Sequence, residues 1–198
     1  MTTTCTFDTI DIAIEALKKG GVVIYPTDTA YGIGCRIDNP RSVDRVLAIK
    51  QRPSTQAVPV LVSSIDMALP YFKNPSDIVR RLQTSYWPGG LTIVSETYTD
   101  MLYSPIRGNG TTIGLRMPNH PVSLRLISGL GVPILGPSAN IHGKPTPYSY
   151  ADLDPQLVLC VDCVVVGECL HHEASTVVDC TEKPYRIIRQ GAVILPKS

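Results

Sequence analysis

Short apolar runs alternate with amphipathic segments along most of the chain, and this alternation constrains the fold more than any other feature. Apolar residues recur at helical spacing between residues 9 and 19, before two glycines, whereas residues 22–25 form a continuous apolar run typical of a buried strand. The same alternation continues to residue 189. It predicts an α/β fold in which helices flank a large, open, twisted mixed sheet.

The pattern predicts about four helices and eight strands. Asn39 and Pro40 have the residue types of an N-cap and a first helical position. The predicted helices cover residues 9–19, 40–50, 76–86 and 121–130, and the predicted strands cover 22–25, 58–62, 91–95, 113–117, 133–135, 157–166, 176–179 and 185–189. No linker or repeat interrupts them, so residues 1–198 are expected to form a single domain.

Composition limits the functional classes. A formal net charge of +1 argues against a generally basic protein that coats nucleic acid, so any anion site must be local. The N-terminus lacks the features of a signal peptide, and the longest apolar run, residues 157–166, contains Asp162 and is too short to span a membrane. We therefore expect a cytoplasmic protein without membrane association, in which the six cysteines are reduced.

Three polar patches follow apolar runs, as binding residues often do at the ends of strands and helices. They are Tyr25 to Gly32, Lys50 to Pro53 and Pro137 to Asn140. Hydroxyls, a lysine–arginine pair and a Ser/Asn pair suit a pocket for a phosphate-bearing ligand and a small zwitterion. Each patch also has an ordinary structural explanation, respectively a hairpin turn, basic residues at a helix C-terminus, and a helix cap or Asx-turn.

Two arginines occur on strands that otherwise look apolar. Arg116 alternates with Ile113 and Leu115, and Arg189 follows Ile187 and Ile188. A buried arginine without a partner is costly. Both are therefore candidates for contacts with an anionic ligand.

Seven short strings together resemble the threonylcarbamoyl-AMP synthase family of the YrdC/TsaC type, in the family's order and with fitting spacing. The strings cover residues 21–34, 50–53, 87–92, 112–118, 137–140, 175–179 and 188–191. The resemblance implies an open α/β sheet with a concave, positively charged face. It also implies a nucleotidyltransferase that converts L-threonine, bicarbonate and ATP into threonylcarbamoyl-AMP and pyrophosphate, for threonylcarbamoyl modification of tRNA adenosine.

The resemblance also implies positions for the site. Lys50 and Arg52 would act on the phosphates during catalysis. The nucleotide-contacting positions would be Lys50, Arg52, Thr112, Ser138, Asn140, Thr146 and Arg189. Thr27, Arg116 and Ser175 fall at threonine-contacting positions, and we add Tyr31 from the first patch.

The implied chemistry needs no protein nucleophile, because the amine attacks bicarbonate and the carbamate then attacks the α-phosphorus. The protein would supply positioning and charge neutralisation, and Mg²⁺ would accompany ATP. A threonylcarbamoyl transferase complex would receive the adenylate, and weak binding of tRNA or double-stranded RNA is a further possibility.

Two features depart from the family pattern. Many members carry a histidine after the strand that follows the basic pair, where this chain has Ser63 and Ser64, so any substrate contact by that imidazole is missing. The chain also ends at Ser198, shortly after Gly191, without the extra C-terminal domain of longer relatives. We therefore expect the short, single-domain branch.

A zinc site is the alternative interpretation of Cys160, Cys163, Cys169, His171 and His172. If residues 157–166 form a strand, Cys160 and Cys163 point to opposite faces and cannot converge on one metal. We expect no structural metal and interpret these cysteines as buried apolar residues.

Two other functional classes remain open. One is an RNA-binding module that uses the concave face. The other is a paralogous carbamoyl-adenylate enzyme with a different acceptor, including the branch of unknown substrate and the carbamoyl-transfer domain used in hydrogenase maturation. The intact pairs Lys50/Arg52 and Ser138/Asn140 disfavour the paralogous branch, which tends to lose them, and the absence of acylphosphatase and zinc-finger segments disfavours the maturation protein.

Overall fold

The computed structural model describes residues 2–196. Within this range six α-helices occur: α1 (Asp11–Lys18), α2 (Pro40–Ile49), α3 (Ile65–Ala68), α4 (Asp77–Tyr86), α5 (Pro121–Leu130) and α6 (Pro155–Leu159). The strands of the same range are β1 (Thr3–Cys5), β2 (Val23–Tyr25), β3 (Gly32–Gly34), β4 (Val60–Leu61), β5 (Leu91–Glu96), β6 (Thr112–Arg116), β7 (Ile134–Leu135), β8 (Cys163–Val165), β9 (Thr176–Asp179) and β10 (Arg186–Arg189). The predicted mixed α/β fold is confirmed.

The strands form two mixed sheets that meet through isolated bridges. One sheet has the order β1-β8-β2-β3, and the other has the order β10-β9-β5-β6-β4-β7. Single β-bridges join Gly32 to Ser138 and Arg36 to Ile134, which connects β3 to the β7 side of the second sheet. The loops after β2 and after β7 are thereby brought together.

The first sheet is covered on both faces. Val23 and Tyr25 of β2 pack into a cluster with α1 and α5, whereas Ile24 packs into the larger cluster that contains residues of α2 and α4. Because successive side chains of a strand point to opposite faces, a strand buried on both sides is apolar throughout. This explains the continuous apolar run at residues 22–25.

The helix-end signals act locally as predicted. The side chain of Asn39 accepts a hydrogen bond from the Ser42 backbone N–H at 3.3 Å, and Pro40 is the first residue of α2. Gly20 follows α1 in the left-handed conformation, with φ of +81°, which glycine adopts without steric cost.

The predicted strand at residues 157–166 is wrong in its first half. Asp154 caps α6 by accepting a hydrogen bond from the Gln156 backbone N–H, and Pro155 opens the helix. Only Cys163–Val165 form a strand. A cap followed by proline starts a helix here despite the apolar composition.

Two strands were not predicted. β1 has three residues and forms a parallel pair with β8 at an edge of the first sheet. β3 contains two glycines, which are poor strand formers, and it forms by antiparallel pairing with β2. Gly34 packs so closely against the Leu135 carbonyl that a Cβ atom would clash with it.

Candidate active site

A cavity of about 160 Å³ lies where the loops after β2 and β7 approach β6, β10 and the segment before β9. Eight of the predicted site residues line it: Thr27, Tyr31, Arg52, Arg116, Ser138, Thr146, Ser175 and Arg189. These residues come from widely separated parts of the chain. Folding therefore brings most of the predicted set around one volume.

A second, wider depression of about 720 Å³ lies beside α1 and contains none of these residues. Its lining includes Glu15, Lys19, Arg45 and Asp162. Arg45 and Asp162 form an ion pair at 2.6 Å there, with each side chain about two-fifths exposed. We place the candidate site in the smaller cavity, because the anion-binding groups converge there.

The first polar patch forms a turn whose hydroxyls face one another. The Thr27 hydroxyl donates to the Ala30 carbonyl at 2.7 Å and accepts from the backbone N–H groups of Thr29 and Ala30, each at 3.2 Å. The patch is therefore a turn, and the same turn lines the cavity. Thr29 adds a hydroxyl that reaches β6.

Arg116 is held by three oxygen atoms. Its Nη1 donates to the Thr29 hydroxyl at 2.7 Å, its Nε donates to the Gly89 carbonyl at 3.0 Å, and its Nη2 donates to the Asp28 carboxylate. Burial lowers the pKa of the guanidinium, and the charge of Asp28 opposes that effect. Since a guanidinium has five N–H donors, two remain for a ligand in the cavity.

Lys50 points into the protein and not into the cavity. Its Nζ donates to the carbonyls of Ser138 at 2.5 Å and Asn140 at 2.6 Å, and it lies 3.4 Å from the Asn140 side-chain oxygen. Burial lowers the pKa of Lys50 to about 8, with a smaller effect from the charge of Arg52. In this structure Lys50 supports the loop that carries Ser138.

The other two arginines of the cavity are bonded to neutral oxygen atoms. Arg52 donates to the carbonyls of Gln56 at 3.3 Å and Ala57 at 2.7 Å. Arg189 donates to the Ser175 carbonyl at 2.9 Å and to the Ser175 hydroxyl at 3.0 Å. Burial lowers the pKa of both guanidinium groups.

Besides Lys50, two further nucleotide-contacting residues implied by the resemblance do not line the cavity. Asn140 accepts from the Ser138 hydroxyl at 2.6 Å and donates to the Lys144 carbonyl at 2.5 Å, so its side chain holds the loop. Thr112 lies at the opposite end of β6 from Arg116, where it pairs with Glu96. Their contacts with a nucleotide stay predictions.

The cysteines and histidines considered for zinc do not gather in this structure. Cys160 follows α6 and is exposed, so its interpretation as a buried apolar residue is wrong. Cys163 lies buried on β8 with its sulfur 3.3 Å from that of Cys5. His171 donates its backbone N–H to the Asp28 carbonyl at 2.8 Å, and the His172 ring stacks on Tyr148. Among residues 2–196 no group of three or more His, Cys, Asp or Glu side chains could hold a metal ion.

Two residues of the site were not identified from the sequence. Asp28 is fully buried and pairs with Arg116, and Thr92 lines the cavity while its hydroxyl lies 2.9 Å from that of Ser175. Asp28 belongs to the first polar patch, but nothing in that patch marks it as buried, and its partner lies 88 positions away. Sequence spacing alone could not identify it.

The family assignment rests on a comparison with family models. A model described as "Telomere recombination", which covers the Sua5, YciO and YrdC proteins, matches residues 15–191. The chain belongs to the Sua5/YciO/YrdC family. Nearly the whole chain falls within the match.

Curated family members include proteins named threonylcarbamoyl-AMP synthase. The one from Pyrococcus abyssi is 32% identical over 187 residues, which cover 94% of this chain and 55% of the relative. The one from Photobacterium profundum is 32% identical over 164 residues, which cover 81% of this chain and 88% of the relative. The chain thus spans about half the length of the Pyrococcus protein.

Solved family structures share the fold. The structure of P. abyssi Sua5 complexed with L-threonine aligns with a TM-score of 0.88 at 30% identity, covering 96% of this chain and 57% of that one. Escherichia coli YciO aligns with a TM-score of 0.83 at 25% identity, covering 96% of both chains.

Among residues 2–196, none of the helices has the length and apolar character that a membrane span requires.

Proposed function

We propose that this family member is an L-threonylcarbamoyladenylate synthase, a nucleotidyltransferase that makes threonylcarbamoyl-AMP and pyrophosphate from L-threonine, bicarbonate and ATP. The observation that carries the proposal is the convergence of three arginines and several hydroxyls on one cavity. The printed names of the synthase relatives and the threonine complex of Sua5 support it.

The amino acid would bind on the Arg116 side of the cavity. Two N–H groups of Arg116 remain after its three protein contacts, and a guanidinium binds a carboxylate well through two parallel hydrogen bonds. The hydroxyls of Thr92 and Ser175 lie on the cavity wall and would contact the rest of the amino acid.

The triphosphate would bind between Arg52, Ser138 and Arg189. Arg52 and Arg189 bring positive charge to the cavity, and Mg²⁺ would enter as part of the MgATP substrate, because phosphate oxygens are its preferred ligands. Lys50 and Asn140 would act indirectly, because they hold the loop that carries Ser138.

The reaction then needs positioning and charge neutralisation. The amine of threonine attacks the carbon of bicarbonate, water leaves, and a carbamate forms. A carbamate oxygen attacks the α-phosphorus, and pyrophosphate takes the bonding pair as it leaves. Fixed cations near the phosphates stabilise the charge that develops on the leaving group.

A paralogous activity with another acceptor is the second candidate. Ser63 stands where many synthases carry a histidine, and the chain resembles YciO over almost its full length.

A transferase complex would receive the adenylate if the first candidate is correct. RNA binding would be expected to weaken steeply as salt increases and to need no ATP.

Pyrophosphate release with ATP, bicarbonate and each amino acid in turn separates the candidates. We expect release that depends on both L-threonine and bicarbonate. Dependence on another amine would favour the paralogous activity, and equal release with and without any amino acid would reject both. Retention of RNA without ATP, together with no pyrophosphate release, would favour the RNA-binding module.

A further inference from the structure

The three arginines that line the cavity differ in their charge partners. Arg116 forms an ion pair with Asp28, and the two side chains are only 7% and 0% exposed. Arg52 and Arg189 donate to backbone or hydroxyl oxygens, and neither forms an ion pair with a carboxylate within the part of the chain that the structure describes. The cavity therefore has one neutralised cation and two uncompensated ones.

Asp28 lies behind Arg116 and does not line the cavity. Its backbone carbonyl accepts hydrogen bonds from the N–H groups of Leu170 at 3.1 Å and His171 at 2.8 Å. Its carboxylate accepts from Arg116 through Oδ1, whereas Oδ2 is buried and has no hydrogen-bond partner among residues 2–196. Because it does not reach the ligand, Asp28 affects a bound anion through its charge.

That charge discriminates between anions. A fixed negative charge repels a phosphate dianion about twice as strongly as a monocarboxylate at the same place, and the buried position limits screening by salt. Arg189 lines the same cavity as Arg116, and its charge contributes to lowering the pKa of that guanidinium. A phosphate group in this cavity could therefore reach either arginine.

We propose that Asp28 is a specificity-determining residue that keeps phosphate groups off Arg116 and reserves this arginine for a monocarboxylate. The identity of that monocarboxylate as an amino acid rests on the proposed function. The charge selectivity itself does not, because it follows from the ion pair and the position of Asp28.

The test uses inorganic phosphate as the probe, and isothermal titration calorimetry measures its binding. The double variant Arg52→Met/Arg189→Met keeps Asp28 and Arg116 and should lose phosphate binding. Adding Asp28→Asn to this background should restore binding at Arg116, with affinity at least about tenfold above the double variant, because one full repulsive charge is gone. A gain of binding cannot result from misfolding.

Asp162→Asn on the same double background is the matched control, because Asp162 also pairs with an arginine but lies outside the cavity. It should give no gain. The further variant Arg116→Met should abolish the binding that Asp28→Asn restores.

Two results would overturn the proposal. One is phosphate binding by the Arg52→Met/Arg189→Met protein that disappears when Arg116 is also replaced, since Asp28 would then fail to exclude phosphate. The other is a triple variant with a native circular dichroism spectrum and no gain. If the triple variant does not fold, Asp28→Ser on the same double background replaces it and should give the same gain. None of these measurements needs threonine or turnover, so a failure of the proposed synthase activity would be seen separately.

Discussion

At the scale of single residues, the contacts of each charged group define its part in the site better than its charge does. Arg116, Arg52 and Arg189 face one cavity, whereas Lys50 is bonded to loop carbonyls. The family resemblance separated Arg116 from the other three by ligand, but it grouped Lys50 with Arg52 on the phosphates. Side-chain direction depends on the packing of distant segments, which no local pattern contains.

Replacing Arg116 tests the amino-acid end of the cavity. We expect Arg116→Met to raise the threonine KM about 10- to 150-fold, because a charge-assisted contact contributes roughly 1.5 to 3 kcal/mol. The change also leaves Asp28 buried without its cation, which destabilises the fold by about 3 to 5 kcal/mol. Thermal melts must therefore accompany the kinetics, and Asp28→Asn/Arg116→Met should recover part of the stability without recovering the KM.

Arg125→Met is the control, because Arg125 forms a largely exposed ion pair with Asp11. It should change neither the threonine KM nor the melting temperature appreciably. An unchanged threonine KM in a folded Arg116→Met protein would refute the carboxylate assignment.

Arg52→Met should act on turnover. A cation beside the phosphates interacts most strongly as charge moves to pyrophosphate, so we expect kcat to fall about 100-fold at saturating substrates while the threonine KM changes little. Steady-state kinetics with threonine and ATP varied separately would measure this. A variant with wild-type kcat would mean that Arg52 is only a basic residue near the C-terminus of α2 with no role in catalysis.

The lowered pKa of Lys50 predicts that the stability of the fold depends on pH. Its pKa is about 8 in the folded protein and 10.5 in its ordinary state, so between these pH values the unfolded chain binds a proton that the folded protein lacks. The free energy of unfolding should rise with pH in this window, by about 3 kcal/mol in total for this group. The destabilising effect is fully present below pH 8.

Urea denaturation between pH 7.5 and 10.5 would measure this dependence. The Lys50→Met variant should lack the rise while keeping the contributions of all other titrating groups. Parallel pH profiles for the two proteins would show that Lys50 titrates near its ordinary value in the folded state.

At the scale of elements, the signals carried by neighbouring residues were reliable. The glycine stop after α1, the Asn39–Pro40 start of α2 and the bounds of α5 agree with the structure. Two kinds of error occur. β3 is created by tertiary pairing with β2 although two of its three residues are glycine. For α6 a local signal was overlooked, because Asp154 and Pro155 start the helix just before the apolar run that looked like a strand.

The caps of α2 and α4 give a matched pair of substitutions. Asn39→Ala should reduce the free energy of unfolding by about 1 kcal/mol, because it removes the acceptor for the Ser42 N–H. Ser76 occupies the equivalent position before α4 but makes no side-chain cap bond, and its buried hydroxyl has no hydrogen-bond partner among residues 2–196. Ser76→Ala should therefore be neutral or slightly stabilising, and equal losses for both variants in urea denaturation would contradict the cap assignment.

At the scale of the whole molecule, the site exists only because two sheets meet. Thr27 follows a strand of the first sheet, whereas Arg116 and Arg189 belong to strands of the second. The fold class could be predicted, and the family resemblance supplied most of the eight predicted residues that line the cavity. The pairing of Asp28 with Arg116 could not be predicted, since it depends on how the sheets are placed. The concave basic face stays a prediction.

On the proposed function, this cavity joins threonine, bicarbonate and ATP. The most direct measurement is mass spectrometry of the product formed with ¹³C-bicarbonate, L-threonine and MgATP, compared with reactions that lack one substrate. We predict a threonylcarbamoyl-AMP ion that carries one ¹³C atom, appears only in the complete reaction and is strongly reduced in Arg52→Met. A folded, ATP-binding protein that yields no such ion, or that yields a labelled adenylate without threonine, would contradict the account.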